Sequence, residues 1–258
     1  MLKTNPLYIQ TNNTRFFSVL SKLKTTKSTI ELNTNITNSN VNASTSTSTT
    51  AKVIKPLSAA QRAYLDRVIR VDQAGELGAD YIYRGQIFVL SRKYPHLRST
   101  LDHMWEQEVY HRDTFNQLQL KHRVRPSLIT PIWKVGAIVM GAGTALISKE
   151  AAMACTEAVE TVIGGHYNEQ LRVLNNKYEQ PVIESSNNSN NSGGGGETVK
   201  VPDEVQHLIS KIKEFRDQEL EHLDTAIEHD SRMAVPYTII TETIKNVCRV
   251  AIWCAERI

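Results

Sequence analysis

The sequence predicts an all-α protein, a four-helix bundle with a long crossover and one or two extra helices. Two Glu-x-x-His motifs, at Glu108/His111 and Glu219/His222, each lie within apolar residues spaced by alternating steps of three and four. Such spacing marks the buried face of a helix in a bundle. No alternating run of β-branched residues indicates a strand. The two stripes are Leu97, Leu101, Met104, Glu108, His111, Phe115 and Leu118, and Val205, Leu208, Ile212, Phe215, Glu219, His222, Ala226 and His229.

Composition separates the first 52 residues from residues 53–258, the predicted folded domain. Residues 1–50 carry five basic residues and one acidic residue, and residues 33–50 are almost all Asn, Ser and Thr. Such a segment cannot bury enough apolar surface to fold. Its basic, hydroxylated and acid-poor composition is typical of a mitochondrial transit peptide followed by a disordered linker; a plain disordered tail is the alternative.

Charge and cysteine content argue against three other classes of protein. The formal charge of +3 comes from the basic N-terminal segment, so the rest of the chain is nearly neutral. This argues against a nucleic-acid partner. The three cysteines, Cys155, Cys248 and Cys254, form no Cys-x-x-Cys pair. We therefore expect buried free thiols in a reducing compartment rather than a disulfide framework or a zinc site.

The first two helices are expected at about 58–90 and up to about 122. Ser58 and Gln61 have the spacing of a capping box. Inside the first helix, two acids, Asp72 and Glu76, occupy consecutive positions of the apolar stripe, one turn apart. That stripe consists of Leu65, Ile69, Asp72, Glu76, Ala79, Tyr83 and Leu90.

The crossover between the two halves of the bundle, at about 123–145, leads into an uncharged apolar run at 135–147. At 13 residues the run is shorter than the ~20 needed to span a bilayer. Its Gly and Ala residues favour close helix packing. We expect one face to be buried and the helix to make partial membrane contact.

Three further helices and an insertion follow the apolar run. A third long helix to about 175 carries Glu157 and Glu160 on its inward face. Residues 183–201 are rich in Asn, Ser and Gly and are predicted to be a disordered insertion. A fourth helix begins at Pro202, with acids in its first turn. A fifth, at about 236–256, has an apolar face suited to the bundle or to a bilayer surface.

The order of inward-facing groups predicts a pair of metal ions. A helix with one core carboxylate precedes a helix with Glu-x-x-His, and this arrangement occurs twice. It is the ligand pattern of ferritin-like di-iron and di-manganese bundles. Four carboxylates balance two divalent cations, and oxygen-rich ligands suit iron or manganese. A buried salt-bridge network is the alternative. Spacing alone leaves Glu157 and Glu160 equivalent; the remaining ligands are Glu76, Glu108, His111, Glu219 and His222.

Other residues near these positions have two open interpretations. Asp72 either accepts a hydrogen bond from a metal-bound histidine or links two helices. His166 is either a core histidine or, with Tyr167, part of substrate placement or electron entry. A third Glu-x-x-His, at Glu204 and His207, lies off the stripe and is expected to be solvated.

Several segments resemble the demethoxyubiquinone hydroxylase family of ubiquinone biosynthesis. The resemblance covers about residues 57–258 and assigns the ligand role to Glu160 rather than Glu157. Gln73 occupies a position where the family is expected to have His, and Thr161 one where it is expected to have a second Glu. The Asn/Gly insertion is a further departure from the family pattern. The similar segments are 71–79 (VDQAGELGA), 104–111 (MWEQEVYH), 141–146 (GAGTAL), 152–160 (AMACTEAVE), 166–168 (HYN), 215–222 (FRDQELEH) and 248–252 (CRVAI).

The resemblance implies a di-iron monooxygenase that uses O2 to hydroxylate the ring of a polyprenyl demethoxy-benzoquinol, the penultimate step of ubiquinone biosynthesis. It implies two Fe ions (Fe2+/Fe3+), with NADH as electron donor. It also implies a peripheral position on the matrix side of the mitochondrial inner membrane, a lipid-binding partner protein and a coenzyme Q biosynthetic complex. The rival functions are a ferritin-like iron-binding protein, a membrane quinol oxidase and a non-catalytic lipid-binding bundle.

Overall fold

The computed structural model describes residues 56–178, 180–181 and 199–258, which form six α-helices. The predicted transit peptide and linker at 1–52, and residues 183–198 of the predicted insertion, lie outside these ranges. Residues Gln180–Pro181 (β1) pair antiparallel with Val199–Lys200 (β2), and two single 3-10 turns occur at Pro95–Leu97 and Ser231–Met233. The helices are α1 Ala59–Lys93, α2 Arg98–His122, α3 Thr130–Ile147, α4 Lys149–Lys177, α5 Asp203–Glu228 and α6 Tyr237–Ala255.

The helices form two similar halves of three. In the first half α1 packs on α2, and α3 returns to lie along α1; in the second half α4 packs on α5, and α6 returns to lie along α4. The two hairpins α1–α2 and α4–α5 make the four-helix bundle, and α3 is the crossover between them. The structure confirms the predicted all-α, ferritin-like bundle with a crossover and extra helices.

Local sequence explains where several helices begin. The Ser58 hydroxyl accepts from the Gln61 backbone and the Gln61 side chain accepts from the Ser58 backbone, which confirms the capping box. Ser148, in an extended conformation, separates α3 from α4 and caps α4 through Ala151 N–H. Pro202 and Pro236 directly precede α5 and α6. A residue without an N–H fits such a boundary, where backbone donors have no partner within the helix.

Burial confirms the inward stripes predicted for α1, α2 and α5. Their apolar, acidic and histidine members are all buried, except that His229, just after α5, is only half-buried. The core includes one apolar cluster around Phe115, Tyr167 and Phe215 and a second around Tyr83 and Met104. Each stripe places charged groups between these apolar clusters, so the ligand residues lie in the middle of the bundle.

Two glycines bring α1 and α3 into close contact. A Cβ built on Gly85 would lie 2.6 Å from Ala142 N, and one built on Gly141 would overlap the Ile82 carbonyl. The predicted close packing of the small-residue run is therefore confirmed, against α1. The opposite side of α3 is exposed, at residues such as Val135, Val139 and Leu146.

The apolar helix is longer than its uncharged run. Among the described helices, α3 is the one whose length (18 residues) and mean hydropathy (1.3) would allow it to cross a membrane, judged by these two properties alone. Only 17% of it is buried in the protein.

Gly141 and Gly143 provide a matched test of this contact. We expect Gly141→Ala to lower the free energy of unfolding by about 1–3 kcal/mol, because backbone must move to admit the methyl group. Gly143→Ala meets no atom within 4 Å and should raise it by up to about 1 kcal/mol through helix propensity. Urea denaturation followed by circular dichroism measures both. Equal effects of the two changes would contradict the close α1–α3 contact.

Candidate metal centre

Six predicted side chains from four helices converge in the middle of the bundle. Ligand atoms of Glu76, Glu108, His111 and Glu219 lie within 4.8 Å of one another, as do those of Glu108, Glu160, Glu219 and His222. Glu108 and Glu219 belong to both groups and therefore lie between them. Two ligand groups that share two carboxylates could hold a pair of metal ions.

The four helices contribute to the cluster in pairs. Helices α1 and α4 each supply one glutamate, whereas α2 and α5 each supply a glutamate and a histidine one turn apart. Residues three apart project from the same helix face. All six side chains are at most 1% exposed, so bulk water does not solvate their charges.

Both histidines face the carboxylates with the same ring nitrogen. His111 Nδ1 lies 3.1 Å from Glu219 Oε1 and 3.4 Å from Glu76 Oε2. His222 Nδ1 lies 3.1 Å from Glu108 Oε1 and 3.1 Å from Glu219 Oε2. The Nε2 atom of each ring points away from the cluster. Nδ1 is therefore the nitrogen available to a metal in both halves.

Without a cation, the buried charges perturb one another. Burial, and then the charge of Glu219, raises the pKa of Glu108 and of Glu160. Burial also acts to raise the pKa of Glu219, but hydrogen bonds and charges from His111 and His222 outweigh it and lower that pKa. Burial opposes protonation of both histidines, yet the adjacent carboxylates raise the pKa of each. Carboxylates buried this deeply therefore need positive charge beside them to stay ionised.

The unsatisfied atoms of the cluster fit divalent metal ions. Within the described part of the chain, six buried atoms of the cluster have close charged neighbours but no hydrogen bond of regular geometry: Glu76 Oε2, Glu108 Oε1 and Oε2, Glu160 Oε2, Glu219 Oε1 and His111 Nδ1. Leaving so many buried polar atoms unpaired is costly. Five oxygens and one imidazole nitrogen form a donor set suited to iron or manganese.

Two buried tyrosines hold the outer carboxylates. Tyr83 Oη donates to Glu160 Oε1 at 3.1 Å, and Tyr167 Oη donates to Glu76 Oε1. Tyr83 lies seven residues after Glu76, and Tyr167 seven residues after Glu160, so the two tyrosines occupy equivalent positions in the two halves. Each tyrosine contacts the glutamate of the other half. Burial raises the pKa of both phenols, so the neutral donor form is favoured. Tyr83 was missed by the sequence reasoning as a site residue, although its place on the α1 stripe was recognised.

The outer nitrogens of the histidines contact two glutamines that the sequence reasoning also missed. His111 Nε2 lies 2.6 Å from Gln218 Oε1, and His222 Nε2 lies 2.8 Å from Gln107 Oε1. A signal was present, because a Gln directly precedes the Glu in both motifs.

Asp72 and His166 lie beside the cluster rather than within it. Asp72 accepts a hydrogen bond from Gln170 at 2.7 Å, joining α1 to α4. The geometry thus matches the helix-linking interpretation of Asp72, and the proposed contact with a ligand histidine is replaced by the glutamines. His166 is half-buried, with Nε2 2.9 Å from Gln170 Nε2 and 3.9 Å from Asp72 Oδ1.

The other acids have separate partners. Glu157 accepts from Ser231 and Tyr237, outside both ligand groups, so the choice of Glu160 agrees with the geometry. Glu204 and His207 are exposed, as expected. Buried Asp80, unrecognised in the sequence, accepts from Arg84, Trp105 and Arg112 and so ties α1 to α2 next to the cluster.

An apolar cavity of about 170 Å³ lies between α1, α3, α4 and α6. Its wall includes Ala79 on α1 and Val159 on α4, which are close in sequence to ligands Glu76 and Glu160. Gly75 and Gly78 widen it, because a Cβ on either would meet no atom within 4 Å. The remaining lining residues are Val71, Ala74, Ile82, Trp133, Gly136, Ala137, Met140, Ile163, Val247, Cys248, Ala251, Ile252 and Ala255.

Fold and site together define the class of protein. A four-helix bundle with one glutamate from each of two helices and Glu-x-x-His from each of the other two is a ferritin-like carboxylate bundle built for two metal ions. The adjoining apolar cavity adds room for an organic molecule.

Comparison with known proteins identifies the family. The family "Ubiquinone biosynthesis protein COQ7" matches residues 63–255. The "5-demethoxyubiquinone hydroxylase, mitochondrial" of Saccharomyces cerevisiae is 60% identical over 244 residues, covering 95% of each chain. The human "NADPH-dependent 3-demethoxyubiquinone 3-hydroxylase, mitochondrial" is 41% identical, covering 78% of this chain and 82% of its own. The "3-demethoxyubiquinol 3-hydroxylase" of Rhodospirillum rubrum is 37% identical, covering 81% and 85%. The chain belongs to the ubiquinone biosynthesis protein COQ7 family.

Proposed function

We propose that this chain is a di-iron monooxygenase that uses O2 to hydroxylate the ring of a polyprenyl demethoxy-benzoquinol in ubiquinone biosynthesis. The observation that carries the proposal is the convergence of the six ligand residues beside an apolar cavity. The names of the relatives, all hydroxylases of demethoxyubiquinone or its quinol, support the substrate class.

The residues of the site would have separate roles as metal ligands and as groups that orient those ligands. Glu76 and His111 would hold one iron, Glu160 and His222 the other, with Glu108 and Glu219 shared between them. When bound, the iron pair would supply the electrons that activate dioxygen for insertion into an electron-rich ring. Tyr83 and Tyr167 orient the outer carboxylates by hydrogen bonding. The near-complete burial of the site excludes water, which strengthens its electrostatic interactions.

The cavity would receive the substrate. Its walls are almost entirely aliphatic, glycine and alanine, which suits a prenyl chain and offers it few competing polar groups. The side of the cavity nearest Ala79 and Val159 would take the ring, since these residues adjoin the ligand-bearing turns of α1 and α4.

The electron donor we propose is a reduced nicotinamide. The sequence resemblance favours NADH, whereas the names of the mammalian relatives specify NADPH. Product formation measured with each nucleotide separately decides between them.

Replacing a shared ligand should abolish both metal binding and hydroxylation. We expect Glu108→Ala and Glu219→Ala to lose most bound iron and all detectable product, because each carboxylate belongs to both ligand groups. Folding should persist, since one of four mutually repelling buried carboxylates is removed. Metal analysis and mass spectrometry of the quinone product under 18O2 measure the two losses.

Glu204→Ala is the matched control on α5, about 22 Å from Glu219 along the helix axis. It should keep wild-type iron and activity. Full activity in Glu108→Ala or Glu219→Ala would refute the proposed site. Labelled oxygen recovered in water rather than in the ring would favour a quinol oxidase, and many irons per chain would favour an iron-storage protein.

Filling the cavity should block the substrate without removing iron. We expect Gly78→Leu to lower kcat/KM for the quinol at least about tenfold, because a Leu side chain occupies several methylene volumes of the cavity. The control is Gly143→Leu, which introduces the same side chain on α3 outside the cavity lining. Iron content should match wild type in both variants. Unchanged kinetics in Gly78→Leu would place the substrate elsewhere.

We further propose that the chain is mitochondrial and lies peripherally on the matrix side of the inner membrane. The yeast and mammalian relatives are named mitochondrial. Helices α3 and α6 flank the cavity and expose apolar side chains beside it, here termed the α3–α6 face. A lipid-binding protein and a coenzyme Q biosynthetic complex are the proposed partners. The exposed members of the face are Ile132, Val135, Ile138, Val139, Leu146, Ile147, Ile239, Val247, Val250 and Trp253.

Charges on this face should release the protein from membranes. We expect the double change Ile132→Glu/Val139→Glu to reduce cosedimentation with phosphatidylcholine–cardiolipin vesicles at least about tenfold, since each change removes more than about 1 kcal/mol of apolar burial. Leu120→Glu, at an 80% exposed apolar position of α2, is the control and should bind as wild type. Equal binding by all three proteins would exclude the α3–α6 face.

A further inference from the structure

A glutamine directly precedes each Glu-x-x-His motif and contacts the histidine of the other motif. Gln107 on α2 contacts His222 on α5, and Gln218 on α5 contacts His111 on α2. In both pairs the contact joins the amide Oε1 to the outer ring atom Nε2. The exchange is reciprocal, so the two contacts repeat one arrangement in the two halves of the bundle.

The glutamine oxygen determines which ring nitrogen is free. An amide oxygen only accepts, so Nε2 carries the proton toward it, and in the neutral ring the lone pair is on Nδ1. Nδ1 is the atom directed at the carboxylates in both rings. Phe215 supports one ring further, with its centroid 4.1 Å from that of His111. The glutamines thus fix the orientation of each ring and the tautomer of its neutral form.

An amide also differs from a carboxylate in charge. Four glutamates and two divalent ions already balance, and neutral Gln107 and Gln218 preserve this balance. A carboxylate at the same position would bring negative charge to the back of each imidazole and make it a stronger donor, which stabilises the higher oxidation state of a metal.

We propose that Gln107 and Gln218 are positioning residues that orient the ligand histidine of the opposite hairpin and, because they are uncharged, keep the reduction potential of the metal pair high. This inference rests on the proposed di-iron function. The crossed contacts also mean that each glutamine acts on a histidine of the facing helix, so a change in α2 affects the site held by α5.

Two substitutions at each glutamine distinguish its effect on the orientation of the ligand histidine from the effect of its lack of charge. Gln→Leu removes the acceptor at similar volume, whereas Gln→Glu keeps an acceptor and adds charge. The control is Gln206→Glu, which adds the same charge at an exposed position of α5, about 18 Å from Gln218 along the helix axis. The full chain is loaded with Fe2+ anaerobically; iron affinity is measured by chelator competition and midpoint potential by spectroelectrochemical titration.

We expect Gln107→Leu and Gln218→Leu to bind iron about 10- to 100-fold more weakly than wild type. Gln107→Glu and Gln218→Glu should hold two irons per chain at a lower midpoint potential, and Gln206→Glu should match wild type in both measurements. A purely structural role would leave the potential unchanged. If a Leu variant does not fold, the Glu variants still test the charge effect.

The inference is overturned if the Glu variants at 107 and 218 have the potential of Gln206→Glu, or if folded Leu variants bind iron as wild type does. Either result leaves the di-iron proposal intact, since wild type still binds two irons. Failure of wild type to bind iron would overturn the proposed function itself, and the two failures are thereby distinguished.

Discussion

The structure depends on the burial of four carboxylates and two imidazoles at the centre of a helical bundle. In a medium of low dielectric constant, these like charges repel one another and lack the solvation that water would give them. Burial shifts the pKa of Glu108 and Glu160 away from ionisation, and the adjacent carboxylates shift the pKa of His111 and His222 toward it. Two divalent cations remove the same conflict directly, so metal binding contributes to folding stability as well as to function.

The rest of the bundle consists of two similar halves around this centre. Each half is a helix with one glutamate, a helix with Glu-x-x-His and a third helix that returns to the first. Contacts across the centre are exchanged between halves, from Tyr83 to Glu160 and from Tyr167 to Glu76. Because each half completes the environment of the other, neither hairpin holds a finished metal site alone.

Much of this could be predicted from the sequence, and the failures have physical causes. The stripes of α1, α2 and α5 and five of the six converging residues followed from helical periodicity, which fixes the face on which a side chain lies. The choice of Glu160 needed the family resemblance, since Glu157 shares its face and is also buried. The partners of Asp80, and the glutamines behind the histidines, depend on how neighbouring helices are rotated and offset, which no single helix specifies. The exposed side of α3 likewise depends on which helix covers it.

One break in the symmetry shows how closely charge is matched. Gln170 donates to Asp72, and the corresponding Gln86 in the other half donates to Thr156, so a buried acid in one half faces a hydroxyl in the other. If ionised, Asp72 would be a fifth negative charge beside four ligand carboxylates. Burial raises its pKa, although the Gln170 hydrogen bond opposes this and the charge of Glu76 reinforces it. Burial thus disfavours a fifth buried charge beside the four ligand carboxylates, and in the other half the equivalent position holds the uncharged Thr156.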